Sequence, residues 1–386
     1  MARAADEAQA RVAVVGCEDY ELDLVRAAIR RGLDLLGGVA RFVRPGERIL
    51  LKPNLLVPRG PDRAVTTHPT VFRAVAEALQ DAGGELSYGD SPGFGSTAFV
   101  AQRAGLAEIA SELGVPIADF AGSGRVSFAE GRLIKQFTLA RGALDADGII
   151  SLPKMKTHGL TRITGAIKNQ FGCIVGALKP EFHARLPNAD LFSRMLVDLN
   201  RCLRPRLYVM DGVVAMEGNG PQNGRPRPMR ILLLSEDPVA LDATVCRLIQ
   251  LNIDLVLPLV YGEAFGLGTA SAIEFVGDPI DRYVAADFDV NRDARSTTDP
   301  PGRVSRVLRR FAVPRPVVRP ERCTGCGTCV SVCPVTPKAI ECSPASRGCP
   351  PVHDYRRCIR CYCCQEMCPE AAIEVATPLL GRLIRR

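Results

Sequence analysis

Two cysteine runs near the carboxyl end constrain this chain more than any other feature. Cys323, Cys326, Cys329 and Cys333 follow a C-x2-C-x2-C-x3-C spacing that ends on Pro334, and Cys358, Cys361, Cys364 and Cys368 repeat it before Pro369. Bacterial ferredoxins carry this run. Three thiolates at i, i+3 and i+6 wrap a turn of chain around one corner of a cubane and leave its fourth iron open. The cysteine before proline lies too far along to close the same cube, so it reaches across to the other one. The spacing therefore predicts two 4Fe–4S clusters. One is held by Cys323, Cys326, Cys329 and Cys368, the other by Cys358, Cys361, Cys364 and Cys333. Zinc knuckles use two paired ligands and then a gap, which does not describe four cysteines in eleven residues twice over.

The remaining cysteines fit this reading. Of fifteen, eight are committed by spacing, which implies a reducing, cytoplasmic setting and not a disulfide framework. The opening MARAADEAQA lacks an apolar signal core, so residues 1–10 are expected to be a disordered tail, and no apolar run is long enough to span a bilayer. Cys17, Cys173, Cys202 and Cys246 sit among apolar residues, as small core side chains do. Cys342, Cys349 and Cys363 fall off the ferredoxin spacing and are expected to be non-ligand thiols, and His353 a surface residue.

The charge is uneven. Fifteen Lys and Arg face six Asp and Glu after residue 302, leaving −2 for the rest of a chain whose net charge is +7. Two oxidised cubanes with their thiolates bring about −4, and Arg322, Arg356, Arg357 and Arg360 beside the ligands offset it. No ladder of aromatic residues accompanies these arginines, which argues against single-stranded nucleic acid as a partner. Their charge suits an acidic electron donor instead, a ferredoxin- or flavodoxin-like protein.

Upstream, apolar periodicity alternates between strands and helices. Strands are expected at 11–16, 48–56, 85–90, 116–121, 147–153, 206–211, 230–235 and 271–277, with a short β segment near 126–138. Helices are expected over about 20–36, 68–82, 98–113, 161–175, 188–202 and 238–250, and a glycine-rich loop over 212–228. The fold class that follows is α/β, a mostly parallel sheet with helices on both faces, plus a small ferredoxin-like α+β domain. The boundaries read as an α/β domain over 11–280, a linker over 281–317, the iron–sulfur domain over 318–378 and a basic tail over 379–386.

Open α/β sheets bind ligands outside the carboxyl ends of their strands, and polar residues collect there. Lys52 and Asn54 follow the second strand, and Asp90 and Ser91 the third. Lys154, Lys156 and His158 follow the ISLP strand, and Lys168 and Asn169 lie on the next helix. Asp211, Glu217 and Asn219 follow YVMD. Two lysines and a histidine within five residues suit a small anionic substrate, with His158 as proton donor or base. Glu217, between glycines, reads as a second acid/base or as a metal ligand. The loop around it lacks both GxGxxG and GxxxxGK[ST], which disfavours a nucleotide site.

The stretches LKPNLL, TTHP, GDSPG, LPKMKTH, IKNQFG, DGVVAMEGNGP and DPVALDA resemble the domain of unknown function 362 family, over roughly residues 10–280. Many members of that family carry a C-terminal pair of ferredoxin motifs. The resemblance implies an α/β domain joined to a 4Fe–4S module and brings no settled reaction. The function expected from the residues is an oxidoreductase that passes low-potential electrons through two clusters to an anion bound in the α/β domain. The alternatives are a ferredoxin-like electron-transfer subunit and a redox sensor or assembly protein without turnover.

Overall fold

A computed structural model describes residues 9–293, 314–342, 350–376 and 378. The expected tail up to residue 8, most of the linker, Cys349 and the basic tail 379–386 lie outside the described residues.

Nine strands form the main sheet: β1 (Ala10–Gly16), β2 (Arg48–Pro53), β3 (Glu85–Tyr88), and, beyond a separate hairpin of β4 (Ser123–Ser127) and β5 (Gln136–Ala140), β6 (Gly148–Leu152), β7 (Lys154–His158), β8 (Arg162–Ile163), β9 (Leu207–Glu217), β10 (Arg225–Ser235) and β11 (Ile273–Gly277). Seven of them run in the order β11-β1-β10-β9-β6-β2-β3, and β7 branches off β9 with β8 at its side. Neighbours are parallel except where β10 meets β1 and β9 and where β8 meets β7. Successive residues of a strand face opposite sides. Val12 and Val14 accordingly join one apolar core, and Ala13 and Val15 the other. The helices Leu22–Leu35 and Pro69–Asp81 cover the second face, and Ala189–Leu203 and Pro238–Leu248 the first. The last of these starts on Asp237, whose carboxylate accepts the N–H groups of Val239 and Ala240 beside a proline at the first helical position.

Local departures from the expected elements have visible causes. The helix expected over 98–113 breaks at Gly105, whose φ of +76° is left-handed, into Thr97–Arg103 and Leu106–Glu112. The strand expected at 116–121 shrinks to one bridge between Tyr88 and Ile117. The polar KMKTH stretch is a strand and not a loop: β9 runs for eleven residues and continues past β6, so β7 pairs with its far half. The glycine-rich stretch is mostly the β9–β10 ladder, with 218–224 as its turn. The helix expected over 161–175 is β8, then a short helix Ala166–Asn169 and a 3-10 turn Gln170–Cys173. It starts late because Gly165 has φ +55°, packed so closely on the Asp242 carboxylate that no Cβ fits.

The C-terminal lobe is built on β12 (Arg315–Val318) paired with a later strand, a two-residue ladder of β13 (Ile340–Glu341) with β14 (Val352–His353), and β15 (Ile373–Ala376), the antiparallel partner of β12. Each cysteine run carries a one-turn helix, Thr328–Ser331 and Cys363–Glu366. Of the expected linker, residues 281–293 pack on the larger lobe, where Phe288 is 1% exposed in its core, whereas Arg315, Pro316 and Val317 already belong to β12.

Candidate functional site

The C-terminal lobe gathers its thiols around two small cavities. One is lined by Cys323, Cys326, Cys329 and Cys368, the other by Cys333, Cys358, Cys361 and Cys364. Each quartet takes three cysteines from one run and the Cys-Pro cysteine of the other. Left-handed residues make the sharp bends, Gly327 at φ +74° and Tyr362 at +63°. Backbone N–H groups point at the sulfurs, Ala339 to Cys333 at 3.4 Å and Ala372 to Cys368 at 3.2 Å. Such donors stabilise thiolate held by a cluster. Burial and crowding by neighbouring thiols push Cys329 up to about 12, and burial pushes Cys358 to about 11, so loading iron displaces protons. Among the described residues no group of three or more His, Cys, Asp or Glu is set to hold a metal ion. A cubane takes one thiolate per iron, so its four ligands need not converge on one point. The donor set fits 4Fe–4S chemistry. His353 is not a plain surface residue: its Nε2 lies 3.6 Å from Cys364 Sγ, and its ring stacks on Tyr355. Cys326 is exposed to solvent, whereas Cys364 and Cys333 are buried.

A third cavity, of about 270 Å³, lies between the lobes, beyond the carboxyl ends of β2 and β3. The larger lobe lines it with Asn54, Asp90, Ser91, Lys156, Lys168 and Asn169, and also with Lys179 and His183 from the helix Lys179–Arg185. The smaller lobe contributes Ser331, Val332, Cys363, Glu366 and Met367. Cys363 and Met367 stand next in sequence to the quartet cysteines Cys364 and Cys368.

Of the residues expected here, Lys156 is tied down: its ammonium donates to Asn54 Oδ1 at 2.8 Å and to the Val65 carbonyl at 2.6 Å. Burial, reinforced by Lys168 and Lys154, holds its pKa well below the lysine range. Lys52 sits beneath the wall with no exposed surface, 3.0 Å from Asp90 Oδ1 and 3.1 Å from Asn169 Oδ1. Asp90 also accepts the Leu55 N–H. Lys179 caps the Ser91 carbonyl, and burial lowers its pKa to about 8. His183 stacks on Phe192 with ring centroids 4.6 Å apart, and burial holds it neutral with a pKa of about 4. Lys168 lies half-buried at the wall, 5.5 Å from the Phe171 ring centroid.

Other expected residues are not brought to this cavity. Lys154 pairs with Asp211 at 2.7 Å, beneath Tyr20, whose ring stacks on His68. His158 is buried behind the wall; its Nδ1 accepts the Leu160 N–H, and its Nε2 lies 2.9 Å from Glu366. Glu217 does not face the cavity, since it meets Arg225 at 3.3 Å and the Asp289 N–H at 3.0 Å. Asn219 belongs to a clasp. Its amide reaches the Ile373 carbonyl, Gln222 and Asn223 donate to the Cys368 carbonyl at 3.1 Å each, and Gln365 returns a bond to Asn219 Oδ1 at 2.8 Å. The turn 218–224 thereby grips the chain that carries Cys364 and Cys368. Local spacing gave no sign of Lys179 and His183, which stand on a short helix outside the polar strand ends, or of Cys363 and Glu366, because the two lobes meet only in three dimensions.

Comparison with known proteins agrees with this anatomy. A family model described as "Domain of unknown function (DUF362)" matches residues 49–247, and a "4Fe-4S binding domain" model matches residues 316–336. The chain is 38% identical over 262 residues to "Thylakoid-associated protein sll1697" of Synechocystis sp., an alignment covering 68% of this chain and 81% of that protein. Among solved structures, the lactate racemase apoprotein from Thermoanaerobacterium thermosaccharolyticum aligns with a TM-score of 0.38 and 11% identity, covering 63% of this chain and 57% of that one. On the strength of the family model and the Synechocystis relative, this chain is a member of the DUF362 family with a C-terminal 4Fe–4S binding domain.

Proposed function

We propose that the protein is an iron–sulfur oxidoreductase whose reacting site is the cavity between its lobes. In this reading both cysteine quartets hold 4Fe–4S clusters, which supply single electrons at low potential when bound. The exposed edge at Cys326 is where a ferredoxin- or flavodoxin-like donor docks, and a reducing compartment such as the cytoplasm keeps the thiols competent. One observation carries the proposal: Cys363 and Met367, neighbours of quartet cysteines, line the same cavity as Lys156, Lys168 and Lys179. Lys168 attracts and orients a small anion. Lys179, with a pKa near 8, has a proton to give at neutral pH. The apolar part of the wall, Leu55, Leu56, Phe171 and Val332, keeps water from competing for that proton.

Anaerobically purified protein, reduced and followed by its visible absorbance, tests this. Small carboxylates with a reducible bond are expected to reoxidise it, and Lys168→Ala to slow that reoxidation at least tenfold without loss of iron. Indifference to every small anion, with fast reoxidation by added redox proteins, would leave only an electron carrier.

A further inference from the structure

The geometry points to a short-chain monocarboxylate as the ligand of the cavity between the lobes, its carboxylate on Lys168 Nζ and its carbon chain directed toward Cys363 and Met367. This deepens the proposed site and rests on it for location alone.

Charge bookkeeping around the cavity is the first argument. Lys156 already serves Asn54 and Val65, and Lys179 serves the Ser91 carbonyl. Asp90 is balanced by Lys52 at 3.0 Å, whereas Glu366 faces, at 2.9 Å, an imidazole whose charging burial disfavours, and draws on the charge of Lys168 instead. Against that one carboxylate stand two lysines of the cavity lining, Lys168 and Lys179. Among the described residues the Lys168 ammonium makes no hydrogen bond and no ion pair, and the Phe171 ring centroid lies 5.5 Å from it. A surplus cation at a partly dry wall is costly, and one negative charge relieves it. A second would meet Asp90 and Glu366 across the same cavity.

Donor geometry and size exclude the commoner anions. No arginine lines the cavity among the described residues, so the bidentate fork that favours phosphate is missing. About 270 Å³ lies just below the roughly 300–1,000 Å³ of pockets that hold drug-sized ligands, which suits a small anion better than a nucleotide or a flavin. Away from Lys168 the wall is largely apolar, with Leu55, Leu56, Phe171, Pro180, Val332 and Met367. His183 is neutral there and adds no further charge. One charged end and a short apolar body describe a monocarboxylate.

Titration calorimetry on the anaerobic, iron-loaded full chain is the test, with crotonate and pyruvate as probes, crotonamide as the uncharged isostere of crotonate, and inorganic phosphate. At least one of the two carboxylates is expected to bind, crotonamide and phosphate at least tenfold more weakly. Lys168→Ala should weaken carboxylate binding tenfold or more at unchanged iron content, and Lys168→Arg should retain it within a few-fold. Phosphate binding as tight as the carboxylates, Lys168→Ala binding like wild type, or no carboxylate binding at millimolar concentration each overturns the inference. Binding without any reoxidation of the reduced clusters leaves the inference standing and defeats the reductase reading. Reoxidation by an anion that does not need Lys168 does the reverse.

Discussion

His158 Nε2 lies 2.9 Å from Glu366 Oε1, a buried contact joining β7 of the larger lobe to the one-turn helix that begins at Cys363. Because His158 Nδ1 accepts the Leu160 and Thr161 N–H groups, at 3.0 and 3.3 Å, the imidazole proton is on Nε2 and faces the carboxylate. Burial and the neighbouring lysines disfavour a charged imidazole, whereas His158 and Lys168 hold Glu366 ionised. His158, expected from the sequence as a proton donor or base, stands behind the cavity wall where the two lobes meet.

Glu366→Ala removes the carboxylate that this buried N–H faces, a loss of roughly 1–3 kcal/mol. Glu366→Gln keeps an oxygen in place and is expected to cost much less. Thermal unfolding of the iron-loaded protein should rank wild type, then Gln, then Ala. Equal melting of Ala and wild type would show that the contact does not hold the lobes.

The clasp gives a second expectation. Gln222 and Asn223 both donate to the Cys368 carbonyl, and Asn223 also reaches the Gln365 carbonyl at 3.3 Å. Each bond contributes on the order of 1 kcal/mol, and because they share a partner their losses will not simply add. The double substitution Gln222→Ala with Asn223→Ala is expected to speed protease cleavage between the lobes, while the strands of the main sheet stay resistant.

Neighbouring cysteines should behave differently. Cys364 belongs to a quartet, whereas Cys363 lines the cavity between the lobes. If both quartets are loaded, wild type carries about eight irons. Cys364→Ser is expected to drop toward about four, or to convert one cluster to a three-iron form, and Cys363→Ser to retain about eight. Loss of a whole cluster in Cys363→Ser would make it a ligand.

How far the sequence revealed this architecture depended on the range of the interaction concerned. Cysteine spacing is local, and it carried the grouping of all eight thiols. Strands such as RVAVVG and GIISL announce themselves because both faces are apolar, as buried parallel strands require. β7 is absent from the expected strands because Lys154, Lys156 and His158 look like polar residues collected beyond the end of the ISLP strand. Their alternation with Met155 and Thr157 is that of a strand, and their partners Asp211, Asn54 and Glu366 lie 57, 102 and 208 residues away. The broken helix after Arg162 turned on one residue, Gly165, whose contact with Asp242 no local pattern contains. The cavity's second wall belongs to the other lobe, so its Cys363 and Glu366 were invisible until the clasp and the His158 contact were seen.

Acid should expose the buried histidine of that cavity. Burial lowers His183 from an ordinary value near 6.5 to about 4, with Lys168, Lys179 and His158 pushing the same way and Glu366 opposing. Between those values the unfolded chain holds a proton on this ring and the folded protein does not. Its contribution to stability is therefore complete above pH 6.5 and is lost as pH falls toward 4. His183→Phe cannot titrate and keeps an aromatic ring for the stack on Phe192. Whatever its melting temperature at pH 7.5, the variant is expected to lose less between pH 7.5 and 5 than wild type does, with residual slope from His158, which burial also lowers, and from His68 and His353, which burial holds near 4. Parallel melting curves across that range would mean that the His183 ring takes up a proton in the folded protein as readily as in the unfolded chain.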